Sequence, residues 1–280
     1  MISLIAASMT DLGQQRDLNE DRVWSQVCTS SEGKLSALLI VCDGMGGYLG
    51  GEHASFWAVE AIKQQLSNYF MTKDPRATVH LSTAELEANP PDNQATAKGM
   101  GDELEARLQA SIEKANQVVY QYAREKPKKA ANSGTTVTLA FVQGSLALIA
   151  NVGDSRTYLL RDHVLRQVSV DHSLVAGLVA SGQIKPEEIY THPQRNVIFR
   201  SLGQKQRVQV DIFREILEPG DILLLCSDGF WEMVQDPKLI VRLIEKAKDP
   251  KQACQTLIDA ANAAGGEDNI SVVVAKAIQT

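Results

Sequence analysis

TTVTLAFVQGSLALIANVGDSRTYLL, residues 135–160, sets three apolar runs almost end to end: Thr135–Val142, Leu146–Val152 and Thr157–Leu160. Each is short, rich in leucine or β-branched residues, and bounded by Gly, Asp or Asn, which is the pattern of a strand. Together they form a hairpin-like meander that continues to about residue 170. Working outward, Leu35–Cys42, Ile222–Cys226 and Ile270–Ala275 are strands of the same kind. Helical spacing lies on either side. Phe56, Val59, Ile62 and Leu66 repeat at three to four residues within 51–70, as do Leu104, Leu108, Ile112 and Val119 within 103–124. Two more helices are expected over Pro237–Ala247 and Lys251–Ala263, the first opened by a capping Asp236 before proline. Strands therefore cluster while helices come in blocks before and after them. That order favours antiparallel sheets covered by helices over a doubly wound parallel sheet. Thr72–Gly101, rich in Pro, Asn, Asp and Thr, has little periodicity and is expected to be a surface insertion. Asp171–Gly203 is polar with short helical pieces, as a lid would be.

The chain has 280 residues, with 28 basic and 34 acidic side chains and a net charge of −6. Hydrophobic residues at 44% and charged residues at 22% exclude a disordered chain, a collagen or a coiled-coil rod. The acidic balance argues against a nucleic-acid partner, which would call for a basic excess. Cys28, Cys42, Cys226 and Cys254 form no CxxC pair and no zinc spacing, so they are expected to be structural thiols of a reducing compartment. The apolar start Met-Ile-Ser-Leu lacks the basic segment of a signal peptide, and no apolar run reaches the ~18 residues of a membrane span. The expected location is the cytoplasm, with no membrane contact.

Four aspartates fall where strands end. Asp43 follows LLIVC, Asp154 follows IANVG, Asp228 follows ILLLCS, and Asp268 precedes the run ISVVV. One Asp-Gly is ordinarily a turn. Four such acids would meet in one pocket if their strands were neighbours in a sheet. Crowded carboxylates need a counter-charge, and a hard divalent cation with oxygen ligands, Mg²⁺ or Mn²⁺, supplies it. The glycines of Asp43-Gly44-Met45-Gly46-Gly47 would let the backbone come close enough for a carbonyl ligand. Spacing alone goes no further.

The chain resembles the metal-dependent protein serine/threonine phosphatases of type 2C, particularly their bacterial members. The resemblance is carried by Arg16-Asp17-Leu18-Asn19-Glu20-Asp21, Asp43-Gly44-Met45-Gly46-Gly47, Ser133-Gly134-Thr135-Thr136, Gly153-Asp154-Ser155-Arg156, Asp171-His172-Ser173, Ser227-Asp228-Gly229 and Gly266-Glu267-Asp268-Asn269, in the family's order. It implies an α+β fold, a four-layer α-β-β-α sandwich of two antiparallel sheets flanked by helices, formed by residues 1–280 as one phosphatase domain. Residues 172–200 would be the flap and 72–101 the insertion.

Carried over by position, Asp43 would bridge two metal ions, with Asp228 and Asp268 completing the first. The Gly44 carbonyl, and Glu20 through water, would serve the second, with Asp21 as an outer partner. Asp154 and Asp228 match the ligands of a third, weaker ion. Arg16 would grip the substrate phosphate, and Arg16, Asp43 and Asp228 would be the catalytic set. The implied reaction is attack on phosphoserine or phosphothreonine by a hydroxide bridging two Mn²⁺ or Mg²⁺ ions, without a phospho-enzyme. Phosphoprotein substrates are implied, with a eukaryotic-like Ser/Thr kinase and its targets as partners, and a monomeric state. Where many relatives carry a proton-donating histidine this chain has Met45, which has no proton to give. Metal-bound water or another residue must then protonate the leaving alcohol, and His172 is the nearest candidate in sequence. Two other readings stay open: a phosphoprotein-binding pseudo-enzyme, and a hydrolase of small phosphoesters.

Overall fold

The computed structural model describes residues 2–29, 33–46, 50–70, 93–125 and 133–279. Two five-stranded sheets face each other. One is ordered β1 (Ile2–Asp11), β12 (Ile270–Gln279), β11 (Ile222–Cys226), β8 (Arg156–Arg161), β9 (Val164–Gln167). The other is ordered β10 (Asp211–Ile216), β7 (Leu146–Val152), β6 (Val137–Gln143), β3 (Leu35–Cys42), β2 (Arg22–Thr29). Every pairing in both is antiparallel. A small ladder joins β4 (Gly44–Met45) to β5 (Gly134–Thr135). The opening stretch of the sequence is indeed a meander, but it changes sheet midway: β6 and β7 belong to one, β8 and β9 to the other, and Gly153–Ser155 is the crossing.

The burial pattern explains why these strands are apolar without alternation. Leu39 and Val41 of β3 point between the sheets, toward Leu159, Leu223, Leu225 and Val273. Leu38 and Ile40, on the other face of the same strand, pack under α1 (Gly50–Leu66) and α2 (Asn93–Glu125). Leu224 and Val272 likewise pack outward, under α5 (Pro237–Lys246) and α6 (Pro250–Ala263). Both faces are dry, so successive residues are all apolar, and each such side chain contributes about 1.5–3 kcal/mol of burial. α5 starts at the Asp236–Pro237 cap expected from the sequence, and α6 starts at Pro250, one residue before the expected Lys251. The Asp236 and Asp249 carboxylates accept the N–H of Lys238 (2.9 Å) and Gln252 (2.8 Å), each with proline in the first turn.

Two expectations need correction. The helix expected from residue 103 begins at Asn93, so the last nine residues of the Thr72–Gly101 stretch are helical. Their polarity hid the period: apolar spacing begins at Leu104, which lies in the core at 5% exposed. Residues 72–92 of that stretch lie outside the described residues. β1, β2 and β10 carried no clear strand signal, because β2 and β10 end their sheets and β1 borders only β12, leaving their residues half-covered. The flap stretch holds α3 (Leu174–Ala180), capped by the Ser173 hydroxyl, and a 3₁₀ turn at Pro186–Thr191. Among the described residues, no helix is long and apolar enough to cross a membrane, and all four cysteines are free.

Candidate active site

β3 and β7 run parallel to each other within their sheet, so both end at the same edge of the sandwich. In the facing sheet β11 ends and β12 begins at that edge. This places Asp43 and Asp154 on one sheet and Asp228 and Asp268 on the other, all four at the same edge of the sandwich. The sequence reading supposed neighbours within one sheet; the convergence instead spans two. Asp43 is fixed by its backbone: its N–H donates to Thr136 Oγ1 (3.0 Å), and its carbonyl accepts from Thr136 N–H and Thr135 Oγ1 (both 2.8 Å). Asp228 opens α4 (Asp228–Trp231), the single turn after β11. Gly44 has no room for a side chain: a Cβ there would strike the Gly51 and Glu20 carbonyl oxygens. Glu20 Oε1 accepts the Gly51 N–H (3.1 Å) at the start of α1, a favourable place for a carboxylate.

Like charges crowd here. Burial, with Asp228, Asp21 and Asp154 nearby, pushes the Asp43 carboxyl well above the ordinary carboxylate range. Burial and Asp228 do the same to Asp154, and burial and Asp268 raise Asp228. Asp21, almost wholly buried, is pushed up to about 8, burial outweighing its hydrogen bonds from serines. Asp21 Oδ1 and Asp228 Oδ1 are buried with no hydrogen-bond donor, an arrangement that costs about 1–3 kcal/mol per atom if nothing else satisfies it. Among the described residues, no three carboxylates, thiols or imidazoles close tightly around one point. Asp268 instead meets Arg16 at 2.5 Å. Orphaned oxygens among mutually repelling acids fit a hard divalent cation. The buried Cys42 and Cys226 side chains pack in the two apolar layers under the helices, and burial pushes both thiols up.

Arg16 is half-exposed at the rim, its guanidinium on Asp268, so its fork stands beside the cluster. His172 is not a free acid. Its Nδ1 accepts the Gly153 N–H (3.1 Å), which leaves the proton on Nε2 for Asp211 (3.1 Å), and the ring is 3% exposed. Burial holds its pKa below the usual value. It is the peg between the flap and the Asp154 loop.

Three positioning groups carried no role in the sequence reading. Asn269 donates to the Leu12 and Leu18 carbonyls (2.9 and 3.0 Å) and accepts the Glu20 N–H (2.8 Å), pinning the Arg16–Asp21 loop beside Asp268. Arg156, buried, grips Asp171 with Nε and Nη2 (3.0 and 2.7 Å) and lies 3.6 Å over the Trp231 ring. Trp231 Nε1 in turn donates to the Asp154 carbonyl (3.0 Å). A buried arginine has no signature in sequence, though an Arg two residues after a strand-end Asp was the available hint.

A family model described as protein phosphatase 2C matches residues 14–261. The serine/threonine phosphatase stp of Listeria monocytogenes is 35% identical over 265 residues, 95% of this chain and 92% of that one. Protein phosphatase PhpP of Streptococcus pneumoniae is 33% identical over 95% of this chain and 94% of its own. Among solved structures, the Mycobacterium tuberculosis serine/threonine phosphatase PstP/Ppp aligns with a TM-score of 0.77 at 30% identity, covering 99% of this chain and all of that one. The catalytic domain of PstP in complex with two manganese ions aligns with a TM-score of 0.75 at 28% identity, over the whole of both chains.

Proposed function

The chain belongs to the protein phosphatase 2C family, and on that premise we propose that it dephosphorylates phosphoserine and phosphothreonine in proteins at the carboxylate cluster around Asp43. It is a serine/threonine phosphatase of a metal-dependent family. The observation that carries the assignment of the site is the convergence of four strand-end aspartates with two orphaned oxygens.

Asp43, Asp228 and Asp268 would hold a first Mn²⁺ or Mg²⁺ ion. Asp43 with the Gly44 carbonyl, and Glu20 through water, would hold a second, while Asp154 with Asp228 would hold a weaker third. Such ions bring the pKa of water toward ~7 and neutralise phosphate charge, which makes a nucleophile available at neutral pH. The chain's own part is positional. Arg16 exchanges Asp268 for the phosphate and presents two charge-assisted N–H donors. Asp21, held by the Ser227 hydroxyl (2.8 Å), stands behind the cluster as its outer partner. Met45 offers no proton and both His172 nitrogens are engaged, so the leaving alkoxide takes its proton from water. Residues from Arg16 to Asp268 contribute to one cluster, which supports reading the chain as one catalytic domain. Four free cysteines are in keeping with a reducing compartment such as the cytoplasm. A protein serine/threonine kinase, whose products this reaction consumes, is the proposed counterpart.

Phosphate release from a phosphothreonine peptide should depend on Mn²⁺ or Mg²⁺ and stop in excess EDTA. Undiminished turnover by metal-stripped protein would overturn the assignment. Arg16→Ala removes charged hydrogen bonds worth ~1.5–3 kcal/mol, so KM on a phosphopeptide should rise roughly 10–150-fold where KM tracks binding. An unchanged KM removes Arg16 from phosphate binding.

Asp154→Ala separates a metal ligand from a loop cap. The loop is anchored to Trp231 through the Asp154 carbonyl, which alanine keeps. The variant should therefore retain its melting temperature and two tight Mn²⁺ ions, yet lose most turnover. A lowered melting temperature with turnover preserved per folded molecule would assign the carboxylate to structure instead.

A further inference from the structure

We propose that the groove between β9 and α5 is a docking surface for an extended, acidic segment of a partner protein that carries apolar side chains at alternate positions. The groove has a volume of about 470 Å³, and Val164, Leu165 and Val241 form its apolar part. Val164 is 64% exposed, among the most open apolar side chains described. Along its α5 wall stand Lys238, Arg242 and Lys246, four residues apart and so on one helix face. All three are exposed, and none is ion-paired with a described residue. The one acid in the lining, Glu245, is held by His163 Nδ1 at 2.6 Å. A cationic wall beside an apolar floor, on a chain of net charge −6, selects an anionic occupant with apolar anchors.

The backbone says that the occupant is extended. Among the described residues β9 ends its sheet and has no strand partner beyond it. Asp162 and His163, with φ of 49° and 64°, make the two-residue turn that closes Val164 onto Arg161. From that register Val164 and Arg166 bond back to β8, so Leu165 and Gln167 direct their N–H and C=O groups outward. An incoming strand would take up these bonds, with alternate side chains over Val164 and its acids toward α5. Arg161 marks the groove's end of β8 and Arg156 the end beside Asp154. The five-residue interval, about 17 Å in a strand, keeps this surface clear of the carboxylate cluster.

Fluorescence anisotropy tests this with the intact protein and a labelled ten-residue peptide alternating glutamate and valine. Saturable micromolar binding is expected, weakened about tenfold or more by the triple substitution Lys238→Ala, Arg242→Ala, Lys246→Ala, and also by Val164→Glu. These side chains are exposed, so melting temperatures should hold; if the triple variant melts early, Val164→Glu decides. The lysine–valine counterpart peptide should not bind. Absent saturation, or equal binding by the wild type and Val164→Glu, overturns the proposal. So does sedimentation with phosphatidylglycerol vesicles that depends on the three cations while the peptide fails to bind, which would make the face a membrane contact.

Discussion

Asp43→Asn is expected to abolish turnover, by at least ~10³-fold, while making the metal-free protein more stable. The two effects share one cause. Asp43 stands among Asp228, Asp21 and Asp154, and burial adds to their repulsion. Asparagine keeps the shape and the backbone bonds to Thr135 and Thr136 but removes the charge. Without metal the repulsion is relieved and the melting temperature should rise. With metal the loss would be of the carboxylate proposed to serve both ions, which should exceed the 10–100-fold typical of residues that only support ligands. Calorimetric titration should show weakened Mn²⁺ binding, so added Mn²⁺ should stabilise the variant less than the wild type. Asp228→Asn should behave alike, since burial and Asp268 raise it in the same way. A variant with wild-type kcat, or a metal-free melting temperature well below the wild type's, would remove Asp43 from the centre of the cluster.

The second large effect is on stability. Arg156→Ala should lower the melting temperature by roughly 6–20 °C, from a loss of ~3–5 kcal/mol at ~2–4 °C per kcal/mol. The guanidinium is buried with Asp171, bonded to the Tyr158 hydroxyl (3.2 Å) and stacked on Trp231. Removing it leaves the Asp171 carboxylate at 7% exposure facing no cation. The cost is that stranded charge rather than the worth of the pair, so Arg156→Met with Asp171→Leu should recover much of the loss. Turnover should fall in the single variant even where it is folded, because Trp231 loses the plane that aims its indole at the Asp154 carbonyl. Thermal melts of Arg156→Ala and of the double variant test this. A single variant within 2 °C of the wild type would mean that the pair is dispensable.

The residues differ in how much of their role local sequence discloses. Asp43, Asp154, Asp228 and Asp268 were legible because strand ends are: an apolar run long enough to cross a dry sheet must stop where the sheet meets water, and an acid placed there lies at its edge. The runs of β3, β6, β7, β11 and β12 were legible for the same reason, being buried on both faces. β1, β2 and β10 were not, because a strand at a sheet margin keeps one side partly wet and its pattern is diluted. The start of α2 escaped because a helix shows its period only where it touches a core. Arg16 was identified by its place before Asn19-Glu20-Asp21, but its ion pair with Asp268 joins residues 252 apart in sequence, which no local pattern encodes. The same holds for Asn269 and the Leu12–Glu20 loop, for Arg156 beneath Trp231, and for His172, whose two nitrogens looked available until Gly153 and Asp211 were seen to occupy them. The sequence by itself determined the strand-end acids, the two-sided burial of the central strands and the family. Only the tertiary structure decided that two acids come from each sheet, and which arginine, asparagine and histidine hold them in place. Burial periodicity is a property of one strand, whereas charge pairing and hydrogen bonding are settled between segments that meet only once the two sheets have closed on each other.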